Sequence, residues 1–404
     1  MKKSVLFTLG LSLIGALLLA LCFVDNWSSM LCFVALVPMM IALKQSSSFL
    51  LTVIMAALNA TLTVLLMRLI GTEITFEASI GQFFIFSLPW VFYHHIRIRH
   101  NEKLAYLALV SSWIFLEWLA AQYFGKWHGL QLGHCFTNVP YLVKWFGFLG
   151  VSAGSLWILA INIHISRIIL PAQSFTRKHA IINGILVMIL PVLASFFWPD
   201  AEKSGNSSAT TKEVNGKILL LSENDKSLSA NELKIDHSIY NSVFDTVRNA
   251  SIGDKEGKKT AVLSKILRVG HIGGIKNQHL IIADFDNRRI GLLNANSMLR
   301  ADLVRLYALE KCAFLICYTE AASIPRQILR SRAIENNIDI LFVQKGHSSL
   351  FLKSGEEIIG VNEIKIETKK PGFFTLYGDL IGRLSIFVSL WMLLGSIVKP
   401  FRKK

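Results

Sequence analysis

Long segments without any charged side chain constrain this chain more than any other feature of its 404 residues. Seven such segments are found, at residues 4–24, 26–43, 45–67, 78–96, 145–166, 179–199 and 384–398. An eighth segment, residues 104–123, carries one acid, Glu117. Most are close to the roughly 20 residues that a helix needs to cross the hydrocarbon of a membrane. The sequence therefore predicts eight transmembrane spans, seven before a soluble segment and one after it.

Composition agrees with a membrane protein and argues against other classes. Hydrophobic residues make up 52% of the chain, charged residues make up 17%, and the mean hydropathy is +0.47. An ordinary soluble protein is less hydrophobic than this. The formal net charge of +15 could suggest a nucleic-acid partner. No basic stripe carries interleaved aromatic residues, however, so no nucleic acid is expected to bind.

Lys and Arg residues are divided unevenly between the two ends of the predicted spans. The side of the membrane on which the N-terminus lies carries thirteen of them: Lys2, Lys3, Lys44, Arg97, Arg99, Lys103, Arg167, Arg177, Lys178, Lys399, Arg402, Lys403 and Lys404. The opposite side carries three: Arg68, Lys126 and Lys144. Because cytoplasmic loops are enriched in Lys and Arg, both termini are predicted to be cytoplasmic and the soluble segment extracytoplasmic. No small-x-small cleavage site precedes Asp25, so the first span is predicted to be a retained anchor.

The chain divides into four predicted parts. They are a membrane domain of seven helices at 1–199, a polar linker at 200–215, an extracytoplasmic domain at 216–383, and a last helix with a basic tail at 384–404. Within the extracytoplasmic domain the residue patterns predict strands at 217–221, 261–269 and 279–285, a helix around Glu232–Arg248, and a hairpin that turns at Ser354–Gly355.

The stretch Arg289–His347 has the clearest pattern in the extracytoplasmic domain. Strand-like runs at 290–293, 312–318 and 339–343 are separated by helical patterns, which predicts βαβ units and a parallel sheet. The stretch also contains Ile-Cys-Tyr-Thr-Glu, in which Cys317 and Glu320 resemble a catalytic signature. Cysteine is among the most buried residue types, so a packed strand thiol is the simpler interpretation of Cys317.

Other polar residues in apolar surroundings have simple interpretations beside functional ones. A charged Glu117 at membrane depth is energetically costly unless it is paired or lies near the membrane interface. A packing role, an interfacial position and a functional role therefore all stay open for this residue. His128, His134 and Cys135 could suggest a metal site, but no acid or further thiol accompanies them and no metal is expected. A transporter is disfavoured because no pair of broken helices suggests a binding site at the midplane.

Several local runs in both halves of the chain form a recognisable set. In the membrane half these are WIFLEW, LQLGH and GSLWILAIN, which supply Trp113, Glu117, Gly133, Gly154, Ser155, Leu156, Trp157 and Asn162. In the soluble half they are SRAIENN, the turn around Gly346–Ser349, and TLYGDLIGRLS. Together with the plan of seven helices, one soluble domain and one closing helix, these runs resemble the apolipoprotein N-acyltransferase family, particularly its Bacteroidota branch.

The resemblance implies an inner-membrane protein whose periplasmic domain is a reduced nitrilase-like (carbon–nitrogen hydrolase) α/β domain, an αββα sandwich. It also implies phospholipid and lipoprotein as partners, and no cofactor. The family's chemistry uses a cysteine nucleophile, a glutamate base and a lysine. The thiolate attacks a phospholipid ester, and the lipoprotein amine then resolves the thioester.

Two alignments with the family pattern are possible. In the first, Cys317 is the nucleophile, with Glu320 or Lys265 helping. Fourteen residues then separate Cys317 from Arg332, and a whole helix–strand unit of the family would be missing. In the second, RIGLLNANS is the strand and turn that should present the nucleophile, and CAFLICYTE is the next strand. Every element is then present and in order, so the second alignment is favoured.

The second alignment leaves no catalytic residue in place. The nucleophile position falls on Asn294 or Ala295, and no Pro-Glu-Thr run lies between residues 248 and 261. Leu263 occupies the lysine position and His271 the position of a later glutamate. The resemblance therefore implies a pseudoenzyme that binds lipid, lipoprotein or an envelope protein partner. The alternative is an active N-acyltransferase that works through a Cys317 thioester.

Overall fold

The computed structural model describes residues 2–24, 27–72, 74–123, 130–170, 177–197, 217–219, 232–234, 251–252, 261–269, 278–285, 288–319, 324–344, 347–359 and 371–398. Apolar helices dominate the first half of the chain, and a mixed sheet follows. The linker predicted at 200–215 lies outside the described residues, as do the basic residues after 398.

Eight α-helices are found among the described residues of the membrane half. They are α1 Lys2–Leu21, α2 Val37–Gln45, α3 Phe49–Leu69, α4 Phe76–Arg99, α5 Glu102–Tyr123, α6 Phe146–Leu149, α7 Val151–Ile169 and α8 Arg177–Phe197. In the part of the chain that the structure describes, six segments are long and apolar enough to cross a membrane: Ser28–Gln45, Phe49–Leu69, Glu102–Tyr123, Val151–Ile169, Lys178–Phe196 and Leu380–Ile397. A shorter apolar helix covers Val5–Leu21. The chain is therefore a multi-pass membrane protein, and the finer count of eight spans stays a prediction.

Three predicted spans differ from the helices that form. The second is broken, because a 3-10 helix at Ser28–Phe33 precedes α2. The sixth starts at Val151 rather than 145, because Gly150 has a φ of +77°, which an α-helix does not allow. The last helix, Leu380–Val398, starts four residues before the predicted bound at 384. Asp379 caps it by accepting a hydrogen bond from Gly382 N at 2.7 Å.

The described residues of the second half form ten strands and five helices. The strands are β1 Lys217–Leu219, β2 Glu232–Lys234, β3 Ser251–Ile252, β4 Ala261–Val269, β5 Gln278–Phe285, β6 Arg288–Asn294, β7 Cys312–Thr319, β8 Asp339–Gln344, β9 His347–Phe351 and β10 Glu357–Ile359. The helices are α9 Ala295–Met298, α10 Ala301–Leu309, α11 Arg326–Asn336, α12 Phe373–Tyr377 and α13 Leu380–Val398.

Eight strands form one mixed sheet in the order β10-β9-β8-β7-β6-β5-β4-β3. The central strands β6, β7 and β8 are parallel and are connected through α9–α10 and α11, so the predicted βαβ units are confirmed. The predicted hairpin is also confirmed, since β9 and β10 are antiparallel around Gly355. The helix predicted from Glu232 is wrong at its start, where Glu232–Lys234 pairs with β1 as a strand. Two paired sheets, which a nitrilase-like sandwich needs, stay a prediction.

Basic residues from different spans meet at one end of the helix bundle. Lys44 Nζ lies 2.8 Å from Glu102 Oε1 and donates to the carbonyl of Leu170 at 3.1 Å. Arg99 Nη1 donates to the carbonyl of Ser396 at 3.0 Å. The ends of α2, α4, α5, α7 and α13 therefore lie together. The sheet domain packs at the opposite end, where α11 contacts α6.

Candidate functional site

The turn from β6 into α9 is the place where the second alignment expects the family's nucleophile. Asn294 ends the strand and Ala295 begins the helix, so the structure has the strand-to-helix elbow that the second alignment predicts. Asn294 Oδ1 accepts a hydrogen bond from Ser297 N at 2.8 Å. This contact satisfies a free N–H of the helix, which is the usual role of Asn at such a position. The elbow carries an amide and a methyl group, and no thiol.

The sheet beneath the elbow is tightly packed around Tyr307, a residue that the sequence patterns did not single out. Its hydroxyl donates to the carbonyl of Leu292 at 2.8 Å and accepts from Ile281 N at 3.1 Å, so it joins β5 to β6. A Cβ atom on Gly291 would lie 2.5 Å from the Tyr307 ring. Glycine in β6 thus lets the ring lie against the strand. Burial raises the pKa of Tyr307, so the hydroxyl stays protonated.

Cys317 lies inside the sheet and away from any elbow. It is paired with Leu293 of β6 on one side and with Phe342 of β8 on the other, and it has no exposed surface. Burial raises the pKa of its thiol well above the ordinary value. Because the thiolate is the reactive form of cysteine, a thiol held in this way is inert. The helix α11 follows Cys317 after a further stretch of chain, and Glu320 within that stretch lies outside the described residues.

The register of the sheet shows where the remaining candidates lie. Lys265 of β4 pairs with Ile282 of β5, which pairs with Gly291 of β6. Lys265 is thus two strands and three residues away from Asn294, roughly 10 Å in each direction. Leu263 lies before it in the same strand, next to a break in the register. His271 lies outside the described residues. The described backbone therefore keeps Lys265 and the elbow apart.

A second group of motif residues meets in the membrane half around Glu117, which is completely buried. Its Oε1 accepts hydrogen bonds from Trp113 Nε1 at 3.0 Å and from Leu132 N at 2.8 Å. Its Oε2 accepts from Ser155 Oγ at 2.6 Å, and Gly133 N donates to the same hydroxyl at 3.0 Å. We call these five residues the Glu117 network. Three donors make a buried carboxylate tolerable, so the network is explained by structure alone.

Two other motif residues of α7 have similar roles. A Cβ on Gly154 would lie 2.7 Å from the ring of Phe146, so the close approach of α6 requires glycine. Asn162 Oδ1 accepts from Leu36 N at 2.9 Å, and its amide donates to the carbonyl of Cys32 at 2.7 Å. These bonds satisfy backbone groups at the break before α2. The runs LQLGH and GSLWILAIN therefore hold irregular segments of the membrane half in place.

The SRAIENN run in the second half of the chain contacts α7 as well. Glu335 Oε1 accepts from Val151 N, the first residue of α7, at 2.9 Å, and its Oε2 accepts from Arg332 Nη1 at 2.6 Å. Both side chains are nearly inaccessible to solvent. A carboxylate at a helix N-terminus satisfies a free N–H and complements the helix dipole. The sheet domain thus caps a helix of the membrane half.

The histidine and cysteine residues of the loop before α6 form no metal site within the described ranges. His134 Nδ1 accepts from Gln131 N at 2.8 Å, and Cys135 is a buried free thiol. His128 lies outside the described residues. No group of three His, Cys, Asp or Glu side chains in the described part of the chain is arranged to hold a metal ion.

A comparison with known proteins found a partial match to this chain. This chain is similar to an apolipoprotein N-acyltransferase. That acyltransferase is from Chlorobaculum tepidum, and the two chains are 26% identical over 190 residues. The match covers 44% of this chain and 35% of the relative. No protein-family model matches. The assignment to the Bacteroidota branch stays a prediction.

Proposed function

We propose that this protein belongs to lipoprotein biogenesis and has an N-acyltransferase scaffold that no longer catalyses acyl transfer. In this proposal it binds phospholipid or lipoprotein, or an envelope protein partner, through the surfaces that an active relative would use. The similarity to an apolipoprotein N-acyltransferase supports the lipid and lipoprotein part. The nitrilase-like sandwich of the soluble domain is part of the same proposal.

The observation that carries the loss of catalysis is the composition of the elbow. Acyl transfer through a thioester needs a thiolate beside backbone N–H groups that stabilise the tetrahedral intermediate. At this position Asn294 uses its side-chain oxygen to cap α9, and Ala295 has no reactive atom. The thiol of Cys317 is enclosed by the neighbouring strands and remains protonated.

We also propose that the protein lies in the inner membrane of a bacterium, with both termini in the cytoplasm and the sheet domain in the periplasm. The grouping of Lys44, Arg97 and Arg99 at one end of the bundle supports this orientation, because Arg97 Nη1 donates to the carbonyl of Lys44 at 3.0 Å. The sheet domain packs at the other end. Positively charged ends mark the cytoplasmic side.

The catalytic part is tested with purified protein in lipid nanodiscs that contain a phospholipid with a labelled acyl chain. A diacylated lipopeptide is added as acceptor, and both the acyl-protein and the triacylated product are measured. We expect neither product, from the natural protein or from the Cys317→Ala variant. A labelled acyl-protein that hydroxylamine releases and that Cys317→Ala abolishes would overturn the proposal.

The binding part needs a separate measurement. We expect a diacylated lipopeptide with a photoreactive group to crosslink to the natural protein, and excess unlabelled lipopeptide to prevent it. The same peptide without acyl chains is the control. A protein that captures neither the lipopeptide nor an envelope protein from crosslinked native membranes would contradict the binding function, whatever the outcome of the acyl-transfer assay.

A further inference from the structure

Two guanidinium groups approach one turn at the rim of the soluble domain, where α12 passes into α13. Gly378 makes this turn with a φ of +72°. A Cβ atom on Gly378 would lie 2.8 Å from Arg383 Nη2 and 3.5 Å from Arg305 Nε. Glycine is therefore required both by the backbone and by the space that Arg383 occupies. The two guanidinium groups therefore lie close to the same turn.

The two arginines differ in how far the protein satisfies them. Arg305 is largely buried, and its Nη1 donates to the carbonyl of Thr375 at 3.1 Å. Its Nε lies 3.5 Å from Asp302 Oδ1. Arg383 is exposed, and its guanidinium makes no hydrogen bond or ion pair with any residue in the described ranges. Arg383 thus has all of its donors available to a ligand.

The carboxylate of Asp379 does not neutralise Arg383, although the two are four residues apart. Asp379 is buried. Its Oδ1 accepts from Gly382 N at 2.7 Å, and its Oδ2 accepts from the hydroxyl of Ser152. Both oxygens therefore point into the protein. A second acid of this region, Asp302, is paired with Arg305.

The surroundings of Arg383 show what can reach it. Phe387, Trp391 and Leu394 follow at intervals of four, four and three residues, so they share its face of α13. They are 71%, 64% and 61% exposed. An apolar face this exposed on a membrane helix contacts lipid chains. Tyr377 at the end of α12 is 54% exposed, and tyrosine is enriched where a membrane meets water.

We propose that Arg305 and Arg383 bind the phosphate of a phospholipid whose chains lie along the exposed face of α13. Guanidinium groups match phosphate oxygens in geometry and charge. The position is right for such a headgroup because Arg383 stands in the first turn of the span, directly above the apolar face. The site would hold the rim of the soluble domain to the membrane surface. It does not depend on acyl transfer or on the proposed function.

The proposal is tested with the full-length protein in a mild detergent, with bound lipids counted by native mass spectrometry during titration. Phosphatidylglycerol and phosphatidylethanolamine both carry the phosphate, whereas diacylglycerol has the same chains without it. We expect both phospholipids to bind and diacylglycerol to bind at least about fivefold more weakly. Arg383→Gln should weaken phospholipid binding by about fivefold, and so should Arg305→Gln.

Matched controls separate this site from general charge effects. Arg289→Gln removes one positive charge from a different surface, where Arg289 Nη1 donates to the carbonyl of Glu310 at 2.8 Å, and it should leave binding unchanged. Arg383→Lys keeps the charge and should restore part of the affinity. Because Arg383 is exposed and has no partner in the described ranges, its variants should keep the melting temperature of the natural protein.

Three results would overturn the proposal. One is equal phospholipid binding by Arg383→Gln and the natural protein. Another is equal binding of diacylglycerol and the phospholipids, which would mean that the apolar face alone holds lipid. The third is inorganic phosphate that binds as tightly as the phospholipids and with the same dependence on Arg383. That result would show a site for a free anion.

Discussion

At the scale of single residues, each buried acid at the boundary between the two halves of the chain accepts hydrogen bonds from its own set of donors. Glu117 has three donors, Glu335 has a backbone N–H and an arginine, and Asp379 has a hydroxyl and a backbone N–H. None of these carboxylates in the described structure is left without a donor. Each therefore ties together segments that are distant in sequence, and each carboxylate is costly to remove.

Glu117→Ala should destabilise the protein by roughly 3 kcal/mol, because Leu132 N and the Trp113 indole would lose their acceptor inside the protein. Glu117→Gln keeps a carbonyl oxygen for those donors and should cost less than half as much. The measurement is the midpoint of thermal unfolding in detergent. Equal losses for the two variants would show that the charge of Glu117, rather than its hydrogen bonds, is what the fold requires.

Asp379 should make stability depend on pH. Burial raises the pKa of this carboxyl to about 6, the Ser152 and Gly382 hydrogen bonds oppose the shift, and Glu335 and Asp302 add to it. The folded state therefore favours the protonated form. The stabilisation is complete below the ordinary pKa of about 3.9 and is lost as the pH rises through about 6.

The expected loss between pH 4 and pH 7 is on the order of 2 kcal/mol. Asp379→Asn keeps an acceptor for Gly382 N and cannot ionise, so it should remove this part of the pH dependence. The difference in unfolding midpoint between the natural protein and Asp379→Asn is measured from pH 4 to pH 7. A difference that stays constant over this range would contradict the assignment.

At the scale of elements, the three parallel strands and their helices bury Cys317 completely and leave Asn294 at a half-buried turn. Alternation of strand and helix was readable from the sequence, because short apolar runs and amphipathic runs differ in period. The run Ile-Cys-Tyr-Thr-Glu resembles a catalytic signature, but it did not identify the strand that carries the elbow. It followed from the order of elements, since β7 runs on through Thr319 while β6 ends at Asn294 and a helix begins at once.

Thiol labelling tests this assignment of elements. The natural protein has five free cysteines, all buried, and they should resist iodoacetamide until the protein is denatured. In an Asn294→Cys variant the new thiol lies at a half-buried elbow and should react at least about tenfold faster than Cys317. The reaction is followed by peptide mass spectrometry. Comparable labelling of Cys317 in the folded protein would show that β7 does not enclose it.

At the scale of the whole molecule, the sheet domain and the helices of the membrane half are joined by direct hydrogen bonds. Glu335 caps α7, Asp379 accepts from the hydroxyl of Ser152, and Gln327 Nε2 donates to the carbonyl of Phe23 at 3.1 Å. In each of these pairs the predicted domain bounds placed the two residues in separate parts. We therefore expect the stability of each half to depend on the other.

Glu335→Ala should destabilise the protein by about 3–5 kcal/mol, because it leaves the buried charge of Arg332 without a partner and frees Val151 N. Adding Arg332→Ala should recover part of that loss. Unfolding midpoints of the two single variants and the double variant give the coupling between the residues. Losses that simply add would show that the Arg332–Glu335 pair does not act as a unit.

The sequence by itself determined the membrane class, most of the apolar helices and the order of strands and helices in the βαβ region. These features depend on the composition of each segment and on the spacing of its apolar residues, and both are properties of the segment itself. Tertiary structure decided where the spans begin, because Gly150 and Asp379 act through backbone conformation and capping. It also decided the environment of Cys317 and the partners of Glu117, Glu335 and Asp379. Burial, thiol reactivity and the pairing of charges depend on which distant segments come together, and no local pattern encodes that.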